Sequence, residues 1–224
     1  MIRFDNVSKR YAGGTQALEN LSFEIASDEM VFVSGHSGAG KSTLLKLIAL
    51  VERPTRGLVL MDGTNVGRIR PRKIAAHRRH VGMIFQNHRL LPESSAFENV
   101  ALPLVIAGVN RAERHRRARA ALDAVGLLDR ERALPAELST GQQQRVGIAR
   151  AIVNRPPVVL ADEPTGNLDP ELSAEIMNLF NELSRSGICF LVASHDLHLV
   201  RRMRRRVLVL ENGRLLDDFR PQSA

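Results

Sequence analysis

Gly35-His36-Ser37-Gly38-Ala39-Gly40-Lys41-Ser42-Thr43 is the stretch on which the reading of this chain turns. It follows an apolar run, Met30 to Val33, that reads as a strand, and it leads into Leu44, Leu45, Leu47 and Ile48, spaced as on a helix face. A strand, a glycine-rich loop and a helix in that order form a phosphate-binding loop. Gly35, Gly38 and Gly40 let the backbone approach and wrap an anion, because a residue without Cβ accepts positive φ and close contact. The amides at the head of the helix then point at the phosphates. Lys41 is placed to reach the β and γ phosphates as a point charge, and the Ser42 hydroxyl to ligate Mg²⁺. The flanking strand and helix disfavour an accidental glycine-rich turn, so nucleotide binding is the first expectation.

Composition bounds what surrounds this loop. The 224 residues, 44% of them hydrophobic, suffice for one large domain or a core with a subdomain. The single cysteine, Cys189, lies in the apolar run from Ile188 to Val192 and reads as a buried strand thiol in a reducing compartment. The opening Met1-Ile2-Arg3-Phe4-Asp5 lacks the apolar stretch of a secretion signal, and the run from Val100 to Val109, broken by Pro103, falls far short of the ~20 residues that span a bilayer. The expectation is a cytoplasmic, soluble chain unless a partner holds it at a membrane. A net charge of +8 favours nucleic acid, an anionic membrane face or nothing specific, with basic clusters at Arg68 to Arg79, Arg111 to Arg119 and Arg201 to Arg206. Aromatic content of 4%, without Trp and with one Tyr, argues against stacking platforms for single-stranded nucleic acid.

Along the chain, Ile2 to Val7 reads as a strand, Gly13-Gly14 as a turn, and Leu21, Phe23 and Ile25 as the buried face of a second strand. Tyr11, between them, offers a flat surface on which an adenine can stack, or is an ordinary hairpin tyrosine. Leu58 to Met61 resume as a strand closed by Asp62-Gly63, and Val81 to Phe85 as a buried one. Gln86 follows at its carboxyl end, where ligands of open α/β sheets bind, and is a candidate Mg²⁺ or water contact. From Asn87 to Pro156 the pattern turns helical, notably from Ala112 to Val125, with no convincing strand. Here Ser139 reads as the N-cap of a helix running from Gln143 to Val153, a second anion-binding helix start or an ordinary cap. Val158 to Ala161 returns to strand and ends in Asp162-Glu163, where Asp162 can hold the Mg²⁺ shell and Glu163 polarise an attacking water. A turn bearing Asp169, a helix from Glu171 to Arg185 and a strand from Ile188 to Ala193 follow. His195 stands at that strand's carboxyl end, and a hairpin turning at Asn212-Gly213 closes the core.

Taken together these segments resemble the nucleotide-binding subunit of ABC transporters over almost the whole chain. The resemblance rests on Gly35 to Thr43 as Walker A, Gln86 as the Q-loop and Leu138 to Gln142 as the signature motif. It continues through Val158 to Glu163 as Walker B with its glutamate, Asn167 to Asp169 as the D-loop and His195 as the switch histidine. It implies an α/β P-loop NTPase (RecA-like) core, residues 1–86 and 157–224 of a single 1–224 domain, with an N-terminal antiparallel β subdomain and an inserted helical subdomain over 87–156. It also implies an ATPase using Mg²⁺ that works as a head-to-tail homodimer, Ser139, Gly141 and Gln142 of one copy closing on the γ phosphate held by Lys41 of the other. His36, Met83 to Leu91, and Arg145 to Ala151 with Asn154 and Pro156 look most like the FtsE family of cell-division ATP-binding proteins. That likeness implies an FtsX-like integral membrane partner docking near Gln86 to Gly108, peripheral residence on the inner face of the cell membrane, and control of cell-wall hydrolysis.

Lipoprotein-release and macrolide-export ATPases share Glu98 to Ala101 and Asp162 to Asp169 and remain an alternative. A DNA-associated ABC ATPase lacks its usual coiled-coil insertion, and a P-loop kinase leaves the signature motif and His195 unexplained. One position departs from the family pattern: Thr140 stands where the signature motif usually carries its first glycine. If the position requires positive φ, a β-branched residue costs on the order of 1–2 kcal/mol. If it is ordinary helix, little is lost and the hydroxyl can cap a free amide.

Overall fold

Two sheets share the strands of this chain in the computed structural model, which describes residues 2–221, so the outermost positions of the expected 1–224 domain lie outside the described residues. In chain order the elements are β1 (Ile2–Arg10), β2 (Gln16–Ile25), β3 (Met30–Ser34), α1 (Lys41–Ile48), β4 (Arg56–Met61), β5 (Thr64–Asn65) and α2 (Ile74–Arg78). They continue as β6 (Val81–Phe85), α3 (Ala96–Ile106), α4 (Arg111–Ala124), α5 (Thr140–Ile152), β7 (Val158–Asp162) and α6 (Pro170–Arg185). The last are β8 (Cys189–Ala193), α7 (Leu197–Met203), β9 (Arg206–Glu211) and β10 (Arg214–Phe219). The first sheet, β2-β1-β4-β5, is antiparallel, and the second, β10-β9-β3-β8-β7-β6, is parallel except for its β10 edge.

The central strands β3, β8 and β7 of this sheet are buried on both faces, as their continuous apolar runs require. Period-two alternation sends Met30 and Phe32 of β3, Val159 and Ala161 of β7, and Phe190 and Val192 of β8 into a core shared with α3 to α7. Their neighbours Val31 and Val33, Val158 and Leu160, and Cys189 and Leu191 face a second core made with α1 and the antiparallel sheet. Each large side chain so buried contributes roughly 1.5–3 kcal/mol. Cys189 is fully inside, and burial pushes its thiol up to about 12, so it is a packing residue with little thiolate character.

Three features that the sequence reading left open or placed loosely have local causes. The apolar stretch around Pro103 is a helix with the proline inside it, begun by a capping box between Ser95 and Glu98. The helix expected from Gln143 begins at Thr140, because Ser139 and Gln142 form a second capping box. Two of the three basic clusters are in part answered within the chain: Glu113 pairs with Arg116 and Arg117, Glu131 with Arg119, and Asp218 and Glu29 with Arg206. The guanidinium hydrogen bonds lower the Glu113 carboxyl to about 2. Among the described residues no helix is long and apolar enough to cross a membrane.

Candidate active site

The carboxyl ends of β3, β7 and β8, neighbours in the parallel sheet, all open onto one cavity of about 630 Å³. Its lining includes Tyr11, the loop from His36 to Thr43, Gln86, Glu163 and His195. Gly40 must be glycine: its φ is 109°, and a Cβ there would stand 2.7 Å from Ala17 O. The edge of β2 thus presses directly on the phosphate loop and holds the antiparallel sheet against it.

Lys41 is buried at the head of α1 and donates to Gly35 O at 2.6 Å and His36 O at 3.1 Å. Its ammonium also lies 3.6 Å from Glu163 Oε1. The other carboxylate oxygen, Glu163 Oε2, is 2.7 Å from His195 Nδ1. Glu163 is mostly covered while His195 is 65% exposed, so the histidine forms the outer wall of the pair. Ser42 Oγ donates to Asp162 Oδ1 at 3.0 Å. A hydroxyl and a carboxylate oxygen, side by side below a glycine-lined loop, are the hard oxygen donors that Mg²⁺ takes. Glu163 has a φ of 49°, rare for a residue with a side chain, and its backbone N–H is held by Ala193 O at 3.0 Å.

Tyr11 is half-buried rather than open, with its hydroxyl 3.3 Å from Thr43 Oγ1 and Lys9 Nζ 5.0 Å over its ring. Thr15, Gln16 and Ala17 line the same cavity and were missed in the sequence, where no motif marks the start of β2. Ser139, Gly141, Gln142 and Asp169 do not line it. Ser139 caps α5 and Asp169 caps α6, whose Leu172 packs so closely on Gly141 that a Cβ there would stand 2.3 Å from Leu172 Cδ2. Thr140, the first residue of α5, is not among the positive-φ positions. The strained alternative for that residue is therefore removed, and the glycine that close packing demands is Gly141.

The segment after Gln86 carries two successive left-handed residues, His88 and Arg89, with φ of 50° and 49°. Beyond them Leu90 packs on the helical core, whereas Leu91 is 44% exposed and, with Phe97, Ala101, Leu102 and Val105, lines an apolar groove of about 410 Å³. Arg111, Arg114 and His115 stand along the same groove.

A family model described as ABC transporter matches residues 18–166. The cell division ATP-binding protein FtsE of Escherichia coli K12 is 53% identical over 215 residues, covering 96% of this chain and 97% of that protein. Its namesake in Mycobacterium tuberculosis is 44% identical over 219 residues, with 97% and 95% covered. Among solved structures, a dimeric ATP-binding cassette in a post-hydrolysis state with ADP and Pi superposes with a TM-score of 0.90 at 35% identity over the whole of both chains. A Clostridium perfringens component of an ABC transporter complex gives 0.91 at 30% identity, covering 98% of this chain and 88% of that one.

Proposed function

The chain belongs to the ABC transporter family, and from that premise we propose that it is the ATP-hydrolysing subunit of a membrane-bound cell-division complex. Its activity is that of an ABC ATPase. The observation that carries the reading of the site is the meeting of Lys41, Glu163 and His195 beside the Ser42–Asp162 pair in one cavity. In this mechanism Lys41 and the loop amides bind the β and γ phosphates, and Tyr11 closes the side of the cavity next to Thr43. Glu163 takes the proton from the attacking water, and His195, at 2.7 Å, fixes the direction of its carboxylate. Bound Mg²⁺ would be held by Ser42, Asp162 and Gln86 and would supply neutralisation of phosphate charge.

Ser139, Gly141 and Gln142 do not line this cavity, which fits their use in a second copy. The head of α5 would close on the γ phosphate held by a partner chain, adding backbone donors where negative charge develops. The names of the Escherichia coli and Mycobacterium tuberculosis relatives favour the cell-division role over lipoprotein release or drug export. The Leu91 groove suits an amphipathic helix of an FtsX-like membrane partner, a helix-in-groove contact. Residence on the inner face of the cell membrane would follow from that contact. Glu163→Gln tests the core of the reading. It should bind Mg²⁺-ATP with near-normal affinity, lose roughly a hundredfold or more in turnover, and accumulate as a dimer. Unchanged hydrolysis, or a strict monomer with ATP and Mg²⁺ present, would overturn it.

A further inference from the structure

Gln144 is a wholly buried polar side chain on α5 that the mechanism above does not use. Its Nε2 donates to Pro164 O at 2.7 Å. A carbonyl oxygen only accepts, so the amide orientation is set, and Gln144 Oε1 must face the other partner, His88 Nδ1, at 2.5 Å. His88 therefore donates from Nδ1. The same helix grips the following backbone as well, since Arg150 donates to His88 O at 2.5 Å and to Arg89 O at 2.7 Å. Downstream, the buried Asn99 accepts from Leu91 N at 2.8 Å and donates to Leu91 O at 3.1 Å.

At the other end of the chain of bonds, Pro164 is the residue after Glu163. The turn there is held by Glu163 N–H on Ala193 O, Gly166 N–H on Glu163 O at 3.2 Å, and Gln144 on Pro164 O. One of these three bonds comes from the end of β8, one lies within the turn itself, and the third comes from α5 in the helical segment. It is the one that can change if that segment moves, and the left-handed Glu163 gives the turn a conformation that needs holding.

We propose that Gln144 is a positioning residue for hydrolysis, fixing the backbone beside Glu163 and, through His88, tying it to the segment that carries Leu91. This rests on the reading of Glu163 as the base and of the Leu91 groove as the docking site. A contact at the groove is then felt at Glu163 through Asn99, the paired left-handed residues, Gln144 and Pro164. The joint acts on the placement of the base and not on the binding of nucleotide, which Lys41 and the loop perform.

The test is steady-state hydrolysis of Mg²⁺-ATP by the full chain, with ATP affinity measured separately. Gln144→Leu should lower kcat by roughly tenfold or more, as a displaced base does, with KM and ATP affinity within about threefold. His88→Asn and His88→Asp have the same shape, and both residues tolerate a left-handed backbone. Asn keeps a donor towards Gln144 Oε1, so it should retain the parent kcat within about twofold, whereas Asp offers only acceptors and should behave like Gln144→Leu. The double variant Gln144→Leu/His88→Asp should be no slower than Gln144→Leu alone. If Gln144→Leu does not fold, the comparison of Asn with Asp at position 88 decides by itself. Equal rates for that pair, or a loss at Gln144 that falls on ATP affinity instead of kcat, would overturn the proposal. Hydrolysis that persists in Glu163→Gln would remove the base and this inference with it. Hydrolysis that stops there but is normal in Gln144→Leu and His88→Asp would remove the positioning role alone.

Discussion

The phosphate loop and the head of α5 are both helix starts rich in small residues, yet they are finished differently. At the loop each functional side chain is answered from its own chain: Lys41 by Gly35 O and His36 O, Ser42 by Asp162, and Glu163 by His195. At the head of α5 only the helix's own needs are met. Ser139 accepts from Gln142 N–H at 3.2 Å, Ser139 and Thr140 are exposed, and no cavity residue comes from this segment. The phosphate loop is preorganised within the chain, whereas the head of α5 acts on a second copy only in the reading proposed above. Substitutions in the first should therefore change nucleotide binding by the isolated chain, and those in the second should change ATP-dependent pairing more than anything the isolated chain shows.

The sharpest break of that contrast would come from Lys41→Ala. Removing the one ammonium in the loop should cost about 3 kcal/mol of ATP affinity, roughly a hundredfold, because charged hydrogen bonds are the strong ones. Equilibrium binding of a fluorescent ATP analogue to the monomer measures it. Affinity within threefold of the parent would mean that the loop is not the phosphate site.

Leu91→Glu should be nearly silent in the isolated chain and large in the complex. The side chain is 44% exposed, so the fold loses little, but a carboxylate placed in an apolar groove should cost about 2 kcal/mol of partner binding, as a central contact does. Co-purification with the membrane protein measures the loss, and ATP hydrolysis by the soluble chain serves as the control. Full recovery of the partner would move the docking surface elsewhere. Leu90 is a poor site for the same experiment, since it packs on the core.

How much of this was readable beforehand depends on sequence distance. The phosphate loop, the acids at the carboxyl end of β7 and the histidine after β8 were legible because glycine spacing and apolar runs are local patterns that place a residue at a strand end without knowledge of the fold. The helix through Pro103 was legible only as part of the helical pattern over 87–156, because its residues are apolar nearly all round and no polar face marks its bounds. The Gln144 joint was invisible for another reason. Its two bonds span 56 and 20 residues, and nothing local distinguishes the glutamine that makes them from Gln142 or Gln143 beside it. Residues such as Ala17, which acts through its backbone on Gly40, leave no mark on side-chain pattern at all.

Gly141→Ala tests the outward half from the inside. An added Cβ at 2.3 Å from Leu172 Cδ2 cannot stay, but Leu172 is only partly buried and can swing aside, so the cost to folding should be only about 1 kcal/mol. The swing disturbs the junction of the α5 and α6 heads, and ATP-dependent dimerisation should weaken by more than stability does. Thermal melts beside sedimentation with ATP separate the two. A variant that dimerises normally would mean that this junction plays no part in pairing.

The smallest effect is expected at Thr140, where the family pattern and this chain disagree. Thr140 opens α5 with its side chain exposed and without positive φ, so the position makes no demand that only glycine meets. Glycine there would relieve no strain and would cost a little backbone entropy, while losing a hydroxyl close to the free amides of the helix start. Thr140→Gly should therefore change dimerisation by less than ~1 kcal/mol, the size of one cap. The measurement is the ATP-dependent dimerisation constant, with each protein in a Glu163→Gln background so that the paired state persists. A tightening of tenfold or more with glycine would show that the branched side chain crowds the partner's phosphate. The head of α5 would then be a surface held back from closure, and its difference from the phosphate loop would be one of restraint as well as of direction.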